Sequence, residues 1–229
     1  AQMSRLEVLL CPSDPNVPMA TSTLSGRTAA WPGNSYRFNS GHTFWDDHFP
    51  QNTPQSYVNS VNAANPSLPV RFTIDPGGVI WQRSSIQPRD IVDGTHQTAA
   101  MSEHRMGDGV TDGLGNDYRR LGTNNLLSDA ICSGGAFESN AGWAGWTNGT
   151  ESYRYISYNH TRTPNDPRPD CLSSNRKRAL MAPSSYHVGG VNLLLCDGAV
   201  RFVSNGVDQK VWWALGSRQA QEPLSNIDF

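Results

Sequence analysis

The clearest alternation of apolar and polar positions lies at residues 191–203, where Val-Asn-Leu-Leu-Leu-Cys and Ala-Val-Arg-Phe-Val flank Asp197-Gly198. Two such runs around Asp-Gly predict a β-hairpin with a two-residue type I′ turn, because those residues tolerate the positive φ the turn demands. Pairing Cys196 with Ala199 fixes the register. Val191, Leu193, Leu195, Val200 and Phe202 then form one uniformly apolar face, opposite a mixed face of Asn192, Leu194, Cys196, Ala199, Arg201 and Val203. The apolar face is expected to meet the core, each large side chain stabilising it by roughly 1.5–3 kcal/mol before entropy is counted. After Ser204-Asn205-Gly206, Asp208 is a suitable N-cap for a short helix carrying Val211, Trp212 and Leu215, with Gly216 to end it.

Elsewhere the periodicity is weaker and turn residues carry the reading. Short strands are expected at 70–74 and 79–82, joined as a hairpin by Asp75-Pro76-Gly77-Gly78. A helical turn is expected at 88–92, ending at Asp93-Gly94, with a strand at 97–103 and a brief helix at 126–131. Residues 12–69 read as loop pinned by single aromatics such as Trp31, Tyr36, Phe38 and Trp45. Residues 134–170 read as a long excursion rich in Trp and Tyr, and a loop of that length needs a function or a staple. No internal repeat, heptad pattern or low-complexity tract is present.

Composition narrows the class. Apolar residues make up 37% of the 229, charged residues only 17%, and Gly and Pro number 21 and 15, which suits a modest sheet core wrapped in long ordered loops. One domain spanning 1–229 is expected. A formal charge of −2, with no basic cluster beyond Arg176-Lys177-Arg178, excludes an electrostatic footprint for nucleic acid or an anionic membrane. No run approaches the roughly 18–20 apolar residues of a membrane helix. Four cysteines without CxxC spacing disfavour a zinc ribbon or a thioredoxin-type site and favour an oxidising compartment. Cys132 and Cys171 bracket the long excursion and are the expected disulfide, worth roughly 3–4 kcal/mol by loop-closure entropy. Cys196 is open between a buried thiol and a bridge partner, and the partner of Cys11 is open.

Several short elements together carry a resemblance. His187, nine residues, then Asp197-Gly198 resembles the H-x9-D-G signature of bacterial pilin-like, prepilin-type proteins. Cys11-Pro12-Ser13-Asp14-Pro15 resembles that group's CPSDP element, and residues 35–41 its Tyr/Asn/Gly segment. Asp93-Gly94-Thr95-His96-Gln97-Thr98 through Ser102-Glu103 is similar to DGTSNT…SE, with His96-Gln97 replacing Ser-Asn, and Tyr158-Asn159-His160 with Thr163-Pro164-Asn165 is similar to YNH…PPN. The resemblance spans nearly the whole chain in order. It implies an α+β, mostly β pilin-like globular head: an antiparallel sheet, long ordered loops and short helices, without the N-terminal stalk helix that precedes CPSDP in the group. It further implies a non-enzymatic subunit of a type II secretion or type IV pilus-like filament, located in the periplasm or at the cell surface and anchored in the inner membrane before assembly. Its partners would be other pilin-like subunits or the secretion machinery, and its membrane contact would run through the missing helix alone.

The candidate chemistry is sparse. No GxSxG elbow, P-loop, GxGxxG or HExxH is present, so no enzyme activity and no resident cofactor are expected. His187 is expected to fix the hairpin by bonding Asp197 or a backbone carbonyl, Asp93, Gly94, Asp197 and Gly198 to serve as turn residues, and Glu103 to pair with Arg105 or a loop amide. Asp108, Asp112 and Asp117, in the Gly-rich loop 107–117, are the candidate ligands for calcium, although the spacing does not match an EF-hand. Trp143, Trp146, Tyr153 and Tyr155 supply the alternative function, a stacking platform for surface glycans, weighed against the simpler role of aromatic anchors for a polar loop.

Overall fold

A computed structural model describes residues 6–15, 19–24, 27–41, 45–46, 76–81, 84–106, 118–120, 132, 136–138, 157–172 and 178–219. It is mostly sheet, and Gln209–Gly216 is an α-helix described over its whole length. The twelve strands are β1 (Met19–Leu24), β2 (Arg27–Pro32), β3 (Tyr36–Asn39), β4 (Trp45–Asp46), β5 (Ala99–Glu103), β6 (Tyr118–Arg120), β7 (Ala136–Glu138), β8 (Ser157–Tyr158), β9 (Asp170–Leu172), β10 (Arg178–Leu180), β11 (Gly190–Leu195) and β12 (Val200–Ser204); the helix α1 spans Gln209–Gly216. β1 and β2 form a hairpin of their own. A first five-stranded sheet has the order β12-β11-β5-β3-β8 and a second the order β4-β10-β9-β6-β7, antiparallel except for the β3–β8 and β6–β9 pairs.

The core lies where the two sheets and α1 meet. Val191, Leu193 and Leu195 project from alternate positions of β11 into a cluster with Ala99, Tyr158, Leu172, Ala179, Met181, Val203, Trp212 and Leu215. Asp208 caps α1 as its sequence predicts, its Oδ1 accepting from the Lys210 and Val211 amides at 2.8 and 3.3 Å. Gly216 is the last helical residue and Ser217 the C-cap. The turn before β5 also forms: Pro88–Asp90 is a short 3₁₀ helix, and Gly94 adopts φ +96.

The hairpin β11–β12 forms with a register one residue away from the expected one. Leu195, not Cys196, pairs with Ala199: its amide donates to the Ala199 carbonyl at 2.8 Å, and the loop is the three residues Cys196-Asp197-Gly198, with Gly198 at φ +92. That is the three-residue hairpin, a turn followed by a left-handed glycine, rather than the type I′ turn. A one-residue slip turns a strand over. Val203 therefore sits opposite Val191 in the core, while Val200 and Phe202 face outward at 63% and 48% exposure.

Other expectations are corrected at the level of elements. The described residues between 12 and 69 include four strands where loop was expected. Val79, Ile80 and Trp81 are not in a strand; the amides of Val79 and Ile80 both donate to the Asn39 carbonyl at 3.1 Å. The expected strand at 70–74 and the helix at 126–131 lie outside the described residues. The long excursion carries β7 and β8 within it, and the disulfide Cys132–Cys171 closes it, leaving Cys11 and Cys196 as free thiols. Burial, then the neighbouring Asp197 charge, pushes the Cys196 thiol up to about 11.

Candidate functional site

Three of the short elements converge at one end of the first sheet. Glu103 is the last residue of β5, 3% exposed, and lies between β3 and β11. Its carboxylate is fixed by Asn192 of β11, whose backbone amide donates to Oε2 at 2.7 Å and whose side-chain amide donates to Oε1 at 3.0 Å. Cys11 is delivered from the chain's N-terminal side. The 3₁₀ helix Glu7–Leu9 is pinned by Ser35, whose amide donates to the Leu9 carbonyl at 2.8 Å. The Cys-Pro-Ser-Asp turn then closes with Asp14 N–H on the Cys11 carbonyl at 3.0 Å, and the Asp14 carboxylate accepts from the Met106 amide at 2.7 Å. His187 arrives from the turn before β11, held by Asn165, whose Oδ1 accepts from the Ser185 amide at 2.8 Å and whose Nδ2 donates to the Gly190 carbonyl at 3.2 Å.

The three side chains close a triangle. His187 Nε2 lies 3.1 Å from Glu103 Oε1, Cys11 Sγ lies 3.8 Å from the same oxygen, and Sγ to Nε2 is 3.7 Å. Among the described residues this is the one group of three His, Cys, Asp or Glu side chains whose ligand atoms all fall within 4.8 Å of one another. Cys11 and Glu103 are buried and His187 is one-third exposed. Tyr36 stands beside them; burial foremost, then the charges of Cys11 and Glu103, raises its phenol above the ordinary range. A groove of about 520 Å³ opens next to Glu103, lined by Val8, Leu9, Tyr36, Met101, Leu194 and Val200 on the outer face of the sheet.

His187 thus holds Glu103 rather than Asp197, because the two signature residues stand at opposite ends of β11, roughly 20 Å apart along an extended strand. Asp197 instead accepts from the Ala199 amide at 2.9 Å and stays in the turn with Gly198. Glu103 is not paired with Arg105, whose guanidinium lies over the Tyr186 ring at 5.3 Å. Asp93 and Gly94 occupy a turn that the Arg218 carbonyl anchors through the Asp93 amide at 3.0 Å. Asn159 and His160 are packing residues. Asn159 Nδ2 donates to the Ala179 carbonyl at 2.9 Å, and His160 is fully buried and stacked on Trp212 at 3.9 Å between ring centroids. Trp143, Trp146, Tyr153 and Tyr155, and the calcium candidates Asp108, Asp112 and Asp117, lie outside the described residues.

The sequence singled out Cys11, Glu103 and His187 separately, but separations of 92 and 84 positions hid their meeting. A metal-binding residue type in each of three short elements was the available signal.

The fold is that of a mostly β protein with two mixed five-stranded sheets, the first of which packs its core face against the short helix α1. Residues 1–210 match the family described as "Protein of unknown function (DUF1559)", a family associated with pilin-like, prepilin-type proteins, and the chain belongs to it. No curated protein and no solved structure matches the chain. No helix among the described residues is long and apolar enough to cross a membrane.

Proposed function

We propose that this chain is the head of an extracytoplasmic, filament-forming or membrane-anchored pilin-like protein, and that an apolar helix on its N-terminal side packs along the outer face of the first sheet. One observation carries the reading: α1 covers one face of that sheet, while the other leaves Val200, which lines the groove, 63% exposed and Phe202, two residues along β12, 48% exposed. Val8, 80% exposed on the 3₁₀ helix at the N-terminal side, continues the same surface. Contiguous exposed apolar groups of this kind mark a binding surface. Val8 and Leu9 themselves line the groove, so it lies next to the N-terminal segment of the described residues. The disulfide and the family support an oxidising location outside the cytoplasm. The partners are then further subunits or secretion machinery, met through the helix, with no covalent chemistry required of the head.

The test uses the full gene product in its native envelope. Val200→Asp with Phe202→Asp is expected to leave the melting temperature of the isolated chain within a few degrees of the parent, because both side chains are exposed, while assembly of the full protein into sheared surface filaments is lost. Assembly at parental levels with both charges in place would remove this reading.

A further inference from the structure

We propose that Cys11, Glu103 and His187 form a zinc site that staples the N-terminal segment to the sheet. Sulfur, imidazole nitrogen and carboxylate oxygen are the donor set that zinc takes in proteins, and three protein ligands with an open fourth position are a common arrangement. The distances fit. Atoms bound to one tetrahedral Zn²⁺ at the usual bond lengths stand about 3.5 Å apart for sulfur with nitrogen or oxygen, and about 3.3 Å apart for nitrogen with oxygen. The corresponding separations are 3.7 Å for Cys11 Sγ to His187 Nε2, 3.8 Å for Cys11 Sγ to Glu103 Oε1, and 3.1 Å for His187 Nε2 to Glu103 Oε1. A single ion can therefore touch all three atoms with displacements of a few tenths of an ångström.

Two features separate this arrangement from its rivals. In a catalytic thiol relay the nucleophile and the carboxylate engage opposite nitrogens of the imidazole. Here Cys11 and Glu103 both approach Nε2, so the atoms point at a common centre instead of passing a proton along a line. In a plain hydrogen-bonded cluster nothing requires the carboxylate to be oriented, yet Asn192 grips Glu103 through both its backbone and side-chain amides, the outer-shell support typical of a metal ligand. The three ligands come from the N-terminal turn, the end of β5 and the entry to β11. A bound ion would tie the segment carrying Glu7–Leu9 to the central strands of the sheet. This inference stands apart from filament assembly, because it concerns the head alone.

The experiment titrates Co²⁺, as a spectroscopic substitute for zinc, into the untagged, chelator-treated chain with its free thiols verified. One equivalent should produce sulfur-to-cobalt charge-transfer absorption with the strong visible bands of tetrahedral cobalt, and Zn²⁺ should bleach both. Cys11→Ser should abolish the charge-transfer band, whereas Cys196→Ser, which removes the other free thiol, should leave it intact. His187→Gln keeps the Cys11 thiol, removes a ligand at a one-third exposed position and should weaken binding further than Asn192→Ala, which only positions Glu103 and should cost about 10- to 100-fold in affinity. Zinc should raise the melting temperature of the parent and not of Cys11→Ser. Absence of sulfur-to-cobalt absorption in the parent at saturating metal overturns the proposal, leaving a hydrogen-bonded cluster. A band that survives Cys11→Ser, or affinity unchanged by His187→Gln, overturns it equally.

Discussion

A histidine with no solvent contact shows how closely single residues specify this fold. His160 Nδ1 lies 2.7 Å from the Trp212 carbonyl, which can only accept, so Nδ1 carries the proton; Nε2 then accepts from the Tyr158 hydroxyl at 2.9 Å. Both ring nitrogens are satisfied and the ring is fixed against Trp212, so it cannot swing aside. Gly216 owes its identity to this ring. A Cβ there would lie 2.5 Å from His160 Cγ and 2.7 Å from His160 Cβ, close to the root of the side chain where no rotation relieves the contact. Gly216→Ala is expected to destabilise the protein by about 1–3 kcal/mol in urea unfolding. Combining it with His160→Gly should cost less than the sum of the two single changes, since the contacts with Cγ and Cβ both disappear with the side chain. Strict additivity would mean that Gly216 is needed for some other reason. Asn39 plays a comparable part: its amide donates to the Ala99 and Gly216 carbonyls at 2.8 and 3.1 Å and accepts from the Gly41 amide at 2.7 Å, joining β3, β5 and the end of α1.

At the scale of elements, the last hairpin measures how far sequence pattern reaches. Its existence follows from two apolar runs around Asp197-Gly198, and the burial of Val191, Leu193 and Leu195 follows from their alternation. Its register does not follow, because an Asp-Gly pair serves a two-residue turn or the second half of a three-residue loop equally well, and only cross-strand partners decide. Gly198 at φ +92 is the residue that the three-residue loop demands, and Gly198→Ala should cost roughly 1–2 kcal/mol of thermal stability without altering the core face. A neutral effect would mean that residue 198 does not need a positive φ, which neither the three-residue loop nor the two-residue type I′ turn allows. The capped helix α1 was legible for similar reasons, since Asp208 and the spacing of Val211, Trp212 and Leu215 are local signals. The strands β3, β6, β8 and β9 were not legible. They are two to four residues long, and β8 and β9 join their neighbours β3 and β6 in parallel across long stretches of chain. The candidate site was legible in its parts only: Cys11, Glu103 and His187 each stood out, but each was given a local role, as a thiol with an open partner, half of an ion pair, or a turn clasp. Adjacency across the sheet is a tertiary fact that no window of sequence contains.

Over the whole molecule, an apolar fraction of 37% is low for a chain of 229 residues, and the interior explains how it suffices. Among the described residues, polar side chains are buried nearly as often as apolar ones, including Arg37, Asn39, Thr98, Glu103, His104, Asn159, His160 and Arg162. Many of these bind backbone carbonyls that short, irregular strands leave unpaired, as Arg162 does with the Pro169 carbonyl at 3.0 Å. Such a core contributes less hydrophobic stabilisation per residue than an apolar one, so covalent closure matters more. The bridge from Cys132 to Cys171 ends in β9, the middle strand of the second sheet, and spans 39 positions of sequence, a loop whose closure entropy corresponds to about 4 kcal/mol. Against a total stability of roughly 5–15 kcal/mol for a typical protein, that is a large share. The variant with Cys132→Ala and Cys171→Ala should therefore lose about 4 kcal/mol in urea unfolding. Because both sulfurs are buried, the folded parent should resist reductant in native buffer and become sensitive only as urea opens it. A loss below about 1 kcal/mol would mean that the sheet already holds the loop ends together in the unfolded ensemble, and that the stability of the second sheet comes from its strand pairings and not from the bridge.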